Sequence, residues 1–221
     1  MKVAIAGGHG KIALLLARQL TAAGHEAVSL IRKPEQSDDV RATGATPAVL
    51  DLEHSTATQV AETLTGCDAA VFAAGAGPGS TIERKWAVDR DAAVLLAAGA
   101  QLAGAYRFVV VSSMGAGEGD PDSDDVFQVY LAAKGQADDA VRESGLDWTI
   151  VRPGGLTDDP GTGRVAVGDH VGRGTIPRAD VAAVLVAVLE APSTARTTFE
   201  LIGGDVPIDE ALASLPPGPP V

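Results

Sequence analysis

Val3-Ala4-Ile5-Ala6-Gly7-Gly8-His9-Gly10-Lys11-Ile12-Ala13 decides how the rest of the chain is read. A short run of β-branched residues and alanines ends in glycines. It passes at once into Lys11-Ile12-Ala13-Leu14-Leu15-Leu16-Ala17-Arg18-Gln19-Leu20, a run of good helix formers. Strand, glycine turn and helix in direct succession form the setting in which a dinucleotide pyrophosphate is bound. Glycines let the turn be tight and let backbone approach the phosphates, while the helix N-terminus offers free N–H groups and a positive dipole end. Gly8-x-Gly10-x-x-Ala13 fits one frame of that pattern and Gly7-x-x-Gly10-x-x-Ala13 a second. Gly7, His9, Gly10, Lys11 and Ile12 are therefore the expected pyrophosphate contacts, His9 through its backbone more than its imidazole. An ordinary strand-to-helix turn is the plainer alternative.

Outward from this turn the pattern alternates. Strands are expected at Lys2–Ala6, Glu26–Ile31, 46–50, 68–74, 107–113, 148–152 and 198–202. Helices are expected at 10–23, 34–44, 55–64, 81–102, 126–144 and 177–190. Strand–helix alternation implies parallel strands joined by right-handed crossovers. The fold class expected is α/β, a doubly wound parallel sheet with helices on both faces and a small C-terminal substrate-side lobe. A single domain over residues 1–214 is expected, with 154–175 and 191–214 as the substrate-side additions. The Pro-rich tail, 215–221, is expected to be disordered.

Bulk properties narrow the function. The chain has 221 residues, 46% hydrophobic but only 4% aromatic, so an aliphatic core is expected. A net charge of −12 without a long basic run argues against nucleic-acid binding. Cys67 is the single cysteine, which excludes an internal disulfide and fits a reducing cytoplasm. No apolar run reaches membrane-spanning length and no signal-peptide pattern opens the chain, so a cytoplasmic protein without membrane partners is expected. No His, Cys or acidic cluster has metal-ligand spacing, and no metal is expected.

In open parallel sheets ligands lie beyond the carboxyl ends of the strands. After the second strand stand Arg32 and Lys33, where a carboxylate would hold a ribose 2′-OH; a basic pair there favours a 2′-phosphate and so NADP(H). A solvated basic pair is the plainer alternative. Asp51 and Leu52 follow the third strand, suited to an adenine amino group and its flat face, although Asp51 could equally cap a helix. Ala73, Ala74 and Gly75 follow the fourth and would let backbone lie against a nucleoside.

The fifth strand ends in Ser112-Ser113-Met114, and Tyr130-Leu-Ala-Ala-Lys134 follows on the next helix. An i,i+4 pair shares one helix face, so the Lys134 ammonium can reach the neighbourhood of the phenol. A nearby cation favours phenolate, which makes Tyr130 usable as a general acid or base. Ser112 or Ser113 could polarise a substrate carbonyl. A surface tyrosine and lysine on an amphipathic helix is the alternative. Trp86 and Trp148 read as core or near-core, and His170 as a surface residue.

With Ala6–Ala13, Ser112-Ser-Met114, Tyr130-x-x-x-Lys134 and Val151-Arg-Pro-Gly-Gly-Leu156, the chain resembles the short-chain dehydrogenase/reductase superfamily. Within it the likeness is to atypical NAD(P)H-binding members related to the NmrA-like group, over the chain to about residue 205. The resemblance implies a Rossmann-type fold, Tyr130 as acid/base, and Lys134 on the nicotinamide ribose. It also implies a serine, Ser112 or Ser113, orienting substrate, and Pro153 packed near the nicotinamide. The glycine frame matches the extended and atypical branches, and the Ser-to-Tyr interval is longer than in classical members.

These observations lead to an NADP(H)-dependent oxidoreductase, with NAD(H) possible, acting on a small carbonyl, alcohol, quinone or flavin-like molecule. A non-enzymatic NADP(H) sensor is the alternative, and an epimerase or dehydratase a further variant. A small-molecule substrate is the expected partner, in a monomer or homodimer.

Overall fold

The computed structural model describes residues 1–219. The first half is built as the alternation requires: β1 (Lys2–Ala6), α1 (Lys11–Ala22), β2 (Glu26–Ile31), α2 (Ser37–Arg41), β3 (Thr46–Val49), α3 (Ala57–Thr63) and β4 (Ala69–Phe72). Then follow α4 (Ile82–Arg84), a π-helical segment Lys85–Asp91, α5 (Ala92–Ala103), β5 (Arg107–Val111), α6 (Val126–Glu143) and β6 (Asp147–Pro153). The remainder comprises β7 (Gly155–Thr157), β8 (Arg164–Gly168), β9 (Thr175–Pro177), α7 (Arg178–Glu190), β10 (Thr197–Gly203), β11 (Val206–Pro207) and α8 (Ile208–Ala213).

One nine-stranded sheet runs β11-β8-β10-β6-β5-β4-β1-β2-β3. From β3 to β10 every neighbouring pair is parallel, and β8 and β11 finish the far edge antiparallel. β7 and β9 pair separately as a short parallel ribbon. A parallel sheet must be covered on both faces, and the two sides of β1 show how. Val3 and Ile5 bury into a layer with Leu16 and Leu20 of α1 and Val184, Leu185 and Val188 of α7. Ala4 and Ala6 face the other layer, with Val60 of α3, Leu96 of α5 and Val141 of α6. Each fully buried Leu or Val contributes about 1.5–3 kcal/mol relative to exposure.

The structure alters the expectations in two places. The helix expected over 81–102 is interrupted by the π-helical turn. The segment 154–175 contributes β7, β8 and the start of β9, and β8 joins the main sheet. The expected tail, 215–221, is described as far as residue 219. Leu215 packs on the core, and a Cβ at Gly218 would lie 2.2 Å from the Ala195 carbonyl oxygen. Pro220 and Val221 lie outside the described residues. No helix among the described residues is long and apolar enough to cross a membrane.

Candidate active site

The turn after β1 is forced by packing. Gly7 sits at φ +73, and a Cβ there would come within 2.6 Å of Ala74 Cα. A Cβ at Gly8 would come within 2.6 Å of Ser29 Cβ. The turn is thus pressed between the ends of β2 and β4, and the Gly8 N–H donates to Leu30 O at 2.8 Å. Helix α1 starts at N-cap Gly10 with no side-chain cap and no acidic residue in its first turn. Its first N–H groups are therefore left for an anion, a donor set that suits a pyrophosphate. Gly7, Gly8, His9 and Gly10 line a cavity of about 350 Å³ together with the ends of β2, β3 and β4. Ile12 instead sends its side chain into the core, and Lys11 donates to Asp158 at 2.5 Å, which also accepts from Arg178 at 2.7 Å. These ties hold the exposed Asp158 carboxyl below its usual range, the Lys11 hydrogen bond foremost. The His9 ring pairs with Asp39 of α2 at 2.7 Å.

Arg32, Asp51, Leu52, Ala73, Ala74 and Gly75 all line this cavity, and Lys33 is absent from its wall. The Lys33 N–H binds the Gln36 side chain at 3.1 Å and starts the short 3₁₀ turn Pro34–Gln36. Asp51 accepts from the Glu53 N–H at 3.1 Å and stands 3.1 Å from the His54 ring, so it orders its own loop. Helix α3 is capped by Thr56 instead. Two side chains that the sequence did not single out complete the rim. Glu53 accepts from Arg32 Nη1 at 3.0 Å, and from Arg84 Nη1 and Nη2 at 2.9 and 3.0 Å.

The tyrosine and lysine of α6 take different partners from those expected. Lys134 is 3% exposed; its ammonium donates to the Val111 carbonyl at 3.0 Å and lies 3.6 Å from Asp89 Oδ1. It also stands 5.4 Å from the Phe72 ring centroid. Phe72 ends β4 and Val111 ends β5, so Lys134 occupies the seam between the strands that wall the first cavity and those that wall a second. The buried Asp89 carboxylate draws Lys134 there. The cation over the Tyr130 ring is Lys85, 5.0 Å from its centroid and anchored by Gly77 O at 2.9 Å. Lys85 and Asp89 both lie in the π-helical segment, a form that concentrates at functional sites. Their spacing of four residues repeats the Tyr130–Lys134 spacing on the facing helix, a signal the sequence did carry. Phe127 stacks on Tyr130 at 5.9 Å, and the Tyr130 hydroxyl makes no hydrogen bond among the described residues. Neither Tyr130 nor Lys134 is in the wall of either cavity.

The two serines separate by strand alternation. Ser112 is buried and donates to Asp138 Oδ2 at 2.9 Å, which also takes Arg152 Nε and Nη2 at 3.0 and 2.9 Å. Burial raises the Asp138 carboxyl above its ordinary range, against the lowering effect of Arg152. Ser112 is thus committed to the interior, while Ser113 lines the second cavity, about 750 Å³. The Met114 N–H binds Pro153 O at 3.0 Å, and this places Ser113 and Pro153 side by side on that wall. Phe127 and Leu131 of α6, Glu118, His170, Arg173 and Glu200 complete it. His170 and Arg173 lie in the 154–175 segment expected on the substrate side, whereas Phe127, Leu131, Glu118 and Glu200 were not singled out, because no local motif joins their segments.

Residues 7–192 match the family model described as NAD(P)H-binding. The chain is 37% identical over 216 residues to an uncharacterized sugar epimerase, YhfK, of Bacillus subtilis, covering 97% of this chain and 100% of that one. A Bacillus halodurans structure provisionally described as an NAD-dependent epimerase/dehydratase is similar at 36% identity and TM-score 0.89, covering 97% and 100% of the two chains. The oxidoreductase ylbE of Lactococcus lactis is similar at 26% identity and TM-score 0.83, covering 97% and 96%.

Proposed function

The chain belongs to the NAD(P)H-binding family, and on that premise we propose that it is an NADP(H)-dependent oxidoreductase acting on a small carbonyl, alcohol, quinone or flavin-like molecule. One observation carries this reading. A cavity at the ends of β1 to β4 and a second at the ends of β5, β6 and β10 share one edge of the sheet, with the Lys134 seam between them. The first suits the adenosine and pyrophosphate of a dinucleotide. The second suits the substrate, beside Ser113 and Pro153.

The bound nicotinamide would supply or accept the hydride. The protein's part is orientation, water exclusion and proton movement. Asp89 Oδ1 is buried without a hydrogen-bond donor and lies 3.2 Å from where a Gly75 Cβ would stand. A ribose hydroxyl is a donor of the kind it lacks. Met114, Leu131 and Pro153 keep the second cavity partly apolar, and Ser113, whose hydroxyl donates to the Met114 carbonyl at 3.1 Å, would have to turn from it to donate to a substrate carbonyl. Tyr130 stands outside the wall of the second cavity, but its hydroxyl is uncommitted and its ring packs on Phe127 of that wall, so it is the group proposed to move the proton.

Tyr130→Phe is expected to lower turnover about 100-fold or more while leaving NADPH affinity within about twofold. The assay pairs NADPH consumption, against quinones, aldehydes, flavins and sugar nucleotides, with a fluorescence titration. Undiminished turnover would remove Tyr130 from the proton-transfer role. A sugar epimerase, the activity named for the B. subtilis relative, fits the second cavity less well if its sugar carries a nucleoside diphosphate. A diphosphate there would meet Arg173 and an exposed His170 on a wall that also carries Glu118 and Glu200.

A further inference from the structure

We infer that Arg84 and Arg32 together form a fork for the 2′-phosphate of the dinucleotide, and that Glu53 sets the preference between a 2′-phosphate and a 2′-hydroxyl. The inference rests on the cofactor reading above and adds to it a second arm and a competitor. Arg32 comes from the end of β2 and Arg84 from α4, yet both guanidiniums converge on one oxygen, Glu53 Oε1, at 3.0 Å each. Arg84 also reaches Oε2 at 2.9 Å and so holds the carboxylate with both fork nitrogens. All three residues line the first cavity. Glu53 is the most buried of them, its side chain 17% exposed against 45% for Arg32 and 39% for Arg84.

Within the Arg32–Glu53–Arg84 cluster two guanidiniums share one carboxylate and leave one positive charge in excess, while Asp51 on the same wall is bound to the Glu53 N–H and stands by the His54 ring. A phosphate monoester carries about −1.5 to −2 charges near neutrality and three acceptor oxygens. It can take the same two forks that Glu53 Oε1 now joins, and planar guanidiniums bind such an anion in bidentate fashion. A 2′-hydroxyl, by contrast, has a proton to donate, and Glu53 is the acceptor that the two guanidiniums hold in place, with Asp51 ordering its own loop on the same wall. Glu53 therefore competes with the phosphate and supports the hydroxyl. The rim can serve both NADP(H) and NAD(H), with the carboxylate deciding the ratio. Lys33 is not in the wall of this cavity.

The test uses ligands without nicotinamide, so that it is independent of turnover. The full chain is titrated calorimetrically with 2′,5′-ADP and with 5′-ADP, as wild type, Arg84→Gln, Arg84→Lys, Arg32→Gln and Glu53→Gln. Arg84→Gln is expected to weaken 2′,5′-ADP about tenfold or more and to leave 5′-ADP within about twofold. Arg84→Lys should fall between, because it keeps the charge and loses the fork. Glu53→Gln should raise the affinity ratio for 2′,5′-ADP over 5′-ADP several-fold. Equal weakening of both ligands by Arg84→Gln, or weakening of neither while Arg32→Gln weakens 2′,5′-ADP, would overturn the second arm. A fall in the ratio for Glu53→Gln would overturn the competition. Failure of both ligands and of NADPH to bind wild type would instead overturn the cofactor reading itself, and the fork with it.

Discussion

The two cavities lie along one edge of the same sheet and differ in how local their walls are. The first sets a backbone floor, Gly7, Gly8, Gly10 and the Ala73–Ala74–Gly75–Ala76 run, against a rim of Arg32, Asp51, Glu53 and Arg84 side chains. The second gathers Ser113 and Met114, Phe127 and Leu131, Pro153, Arg173 and Glu200 from five separate segments, with Gly115, Gly154, Gly155, Gly172 and Gly174 between them. Backbone approach restricts composition, because only glycine fits at φ +73 with Ala74 Cα 2.6 Å from its missing Cβ. A side-chain wall sets no such rule. A cofactor shared by a whole family can be met by the first kind of surface, and substrate choice is left to the second.

The seam joins the two, and breaking it should cost most. Lys134→Met would leave Asp89, 1% exposed, as a buried carboxylate without its ammonium. Removing one partner of such a pair costs about 3–5 kcal/mol. Urea denaturation should show this loss, and adding Asp89→Asn should recover part of it. If Lys134→Met were as stable as wild type, the two cavities would be independent.

Gly135→Ala should break the second cavity and spare the first. Gly135 lies inside α6, where alanine is ordinarily better by about 1 kcal/mol. Here a Cβ would meet Gly117 Cα at 2.4 Å, in the loop whose Gly117 N–H binds Leu131 O at 2.9 Å. The overlap costs about 1–3 kcal/mol, so a small net destabilisation is expected. Ser113 to Glu118 would have to shift, raising the substrate KM while dinucleotide affinity stays within about twofold. Equal losses at both ends would show that α6 transmits the strain across the seam.

The same contrast explains what could be read from the sequence. Strand, glycine turn and helix were legible over residues 2–22 because burial on both faces forces aliphatic strands and the close approach forces glycine. The serine pair was legible as a strand end but not as a choice. Alternation turns Ser112 to the α6 face, and only the placement of Asp138 there shows that this face is interior. The π-helical turn Lys85–Asp91 sits inside a helical run, and its one trace, the Lys85–Asp89 spacing, does not distinguish it from an ordinary helix. Arg84 and Glu53 meet across 31 positions, a distance no motif spans. Strands β7 to β9 are short, and partners elsewhere in the chain define them, so their segment read only as a substrate-side addition with no strands assigned.

The mildest prediction sharpens the comparison through pH. Asp138 beneath the second cavity has its carboxyl raised by burial, whereas Asp158, tied to Lys11 near the first, has its carboxyl lowered by that hydrogen bond. Between the ordinary aspartate value and the raised folded value, folded Asp138 binds more protons than the unfolded chain. Its ionisation therefore weakens the fold at neutral pH, and that loss is recovered as pH falls through the folded value. For Asp158 the sign reverses: its contribution is present above the unfolded value and lost as pH falls toward the lowered one. The stability gap between wild type and Asp138→Asn should thus move in favour of wild type on acidification from about pH 7 to about pH 4.5. The gap for Asp158→Asn should move the other way, weakly and only near the acid end, because that carboxylate is exposed and screened. Urea denaturation at stepped pH reads both slopes. Parallel slopes would mean that Ser112 and Arg152 hold Asp138 ionised as firmly as Lys11 holds Asp158, and that the polar cluster under the second cavity is no less settled than the rim of the first.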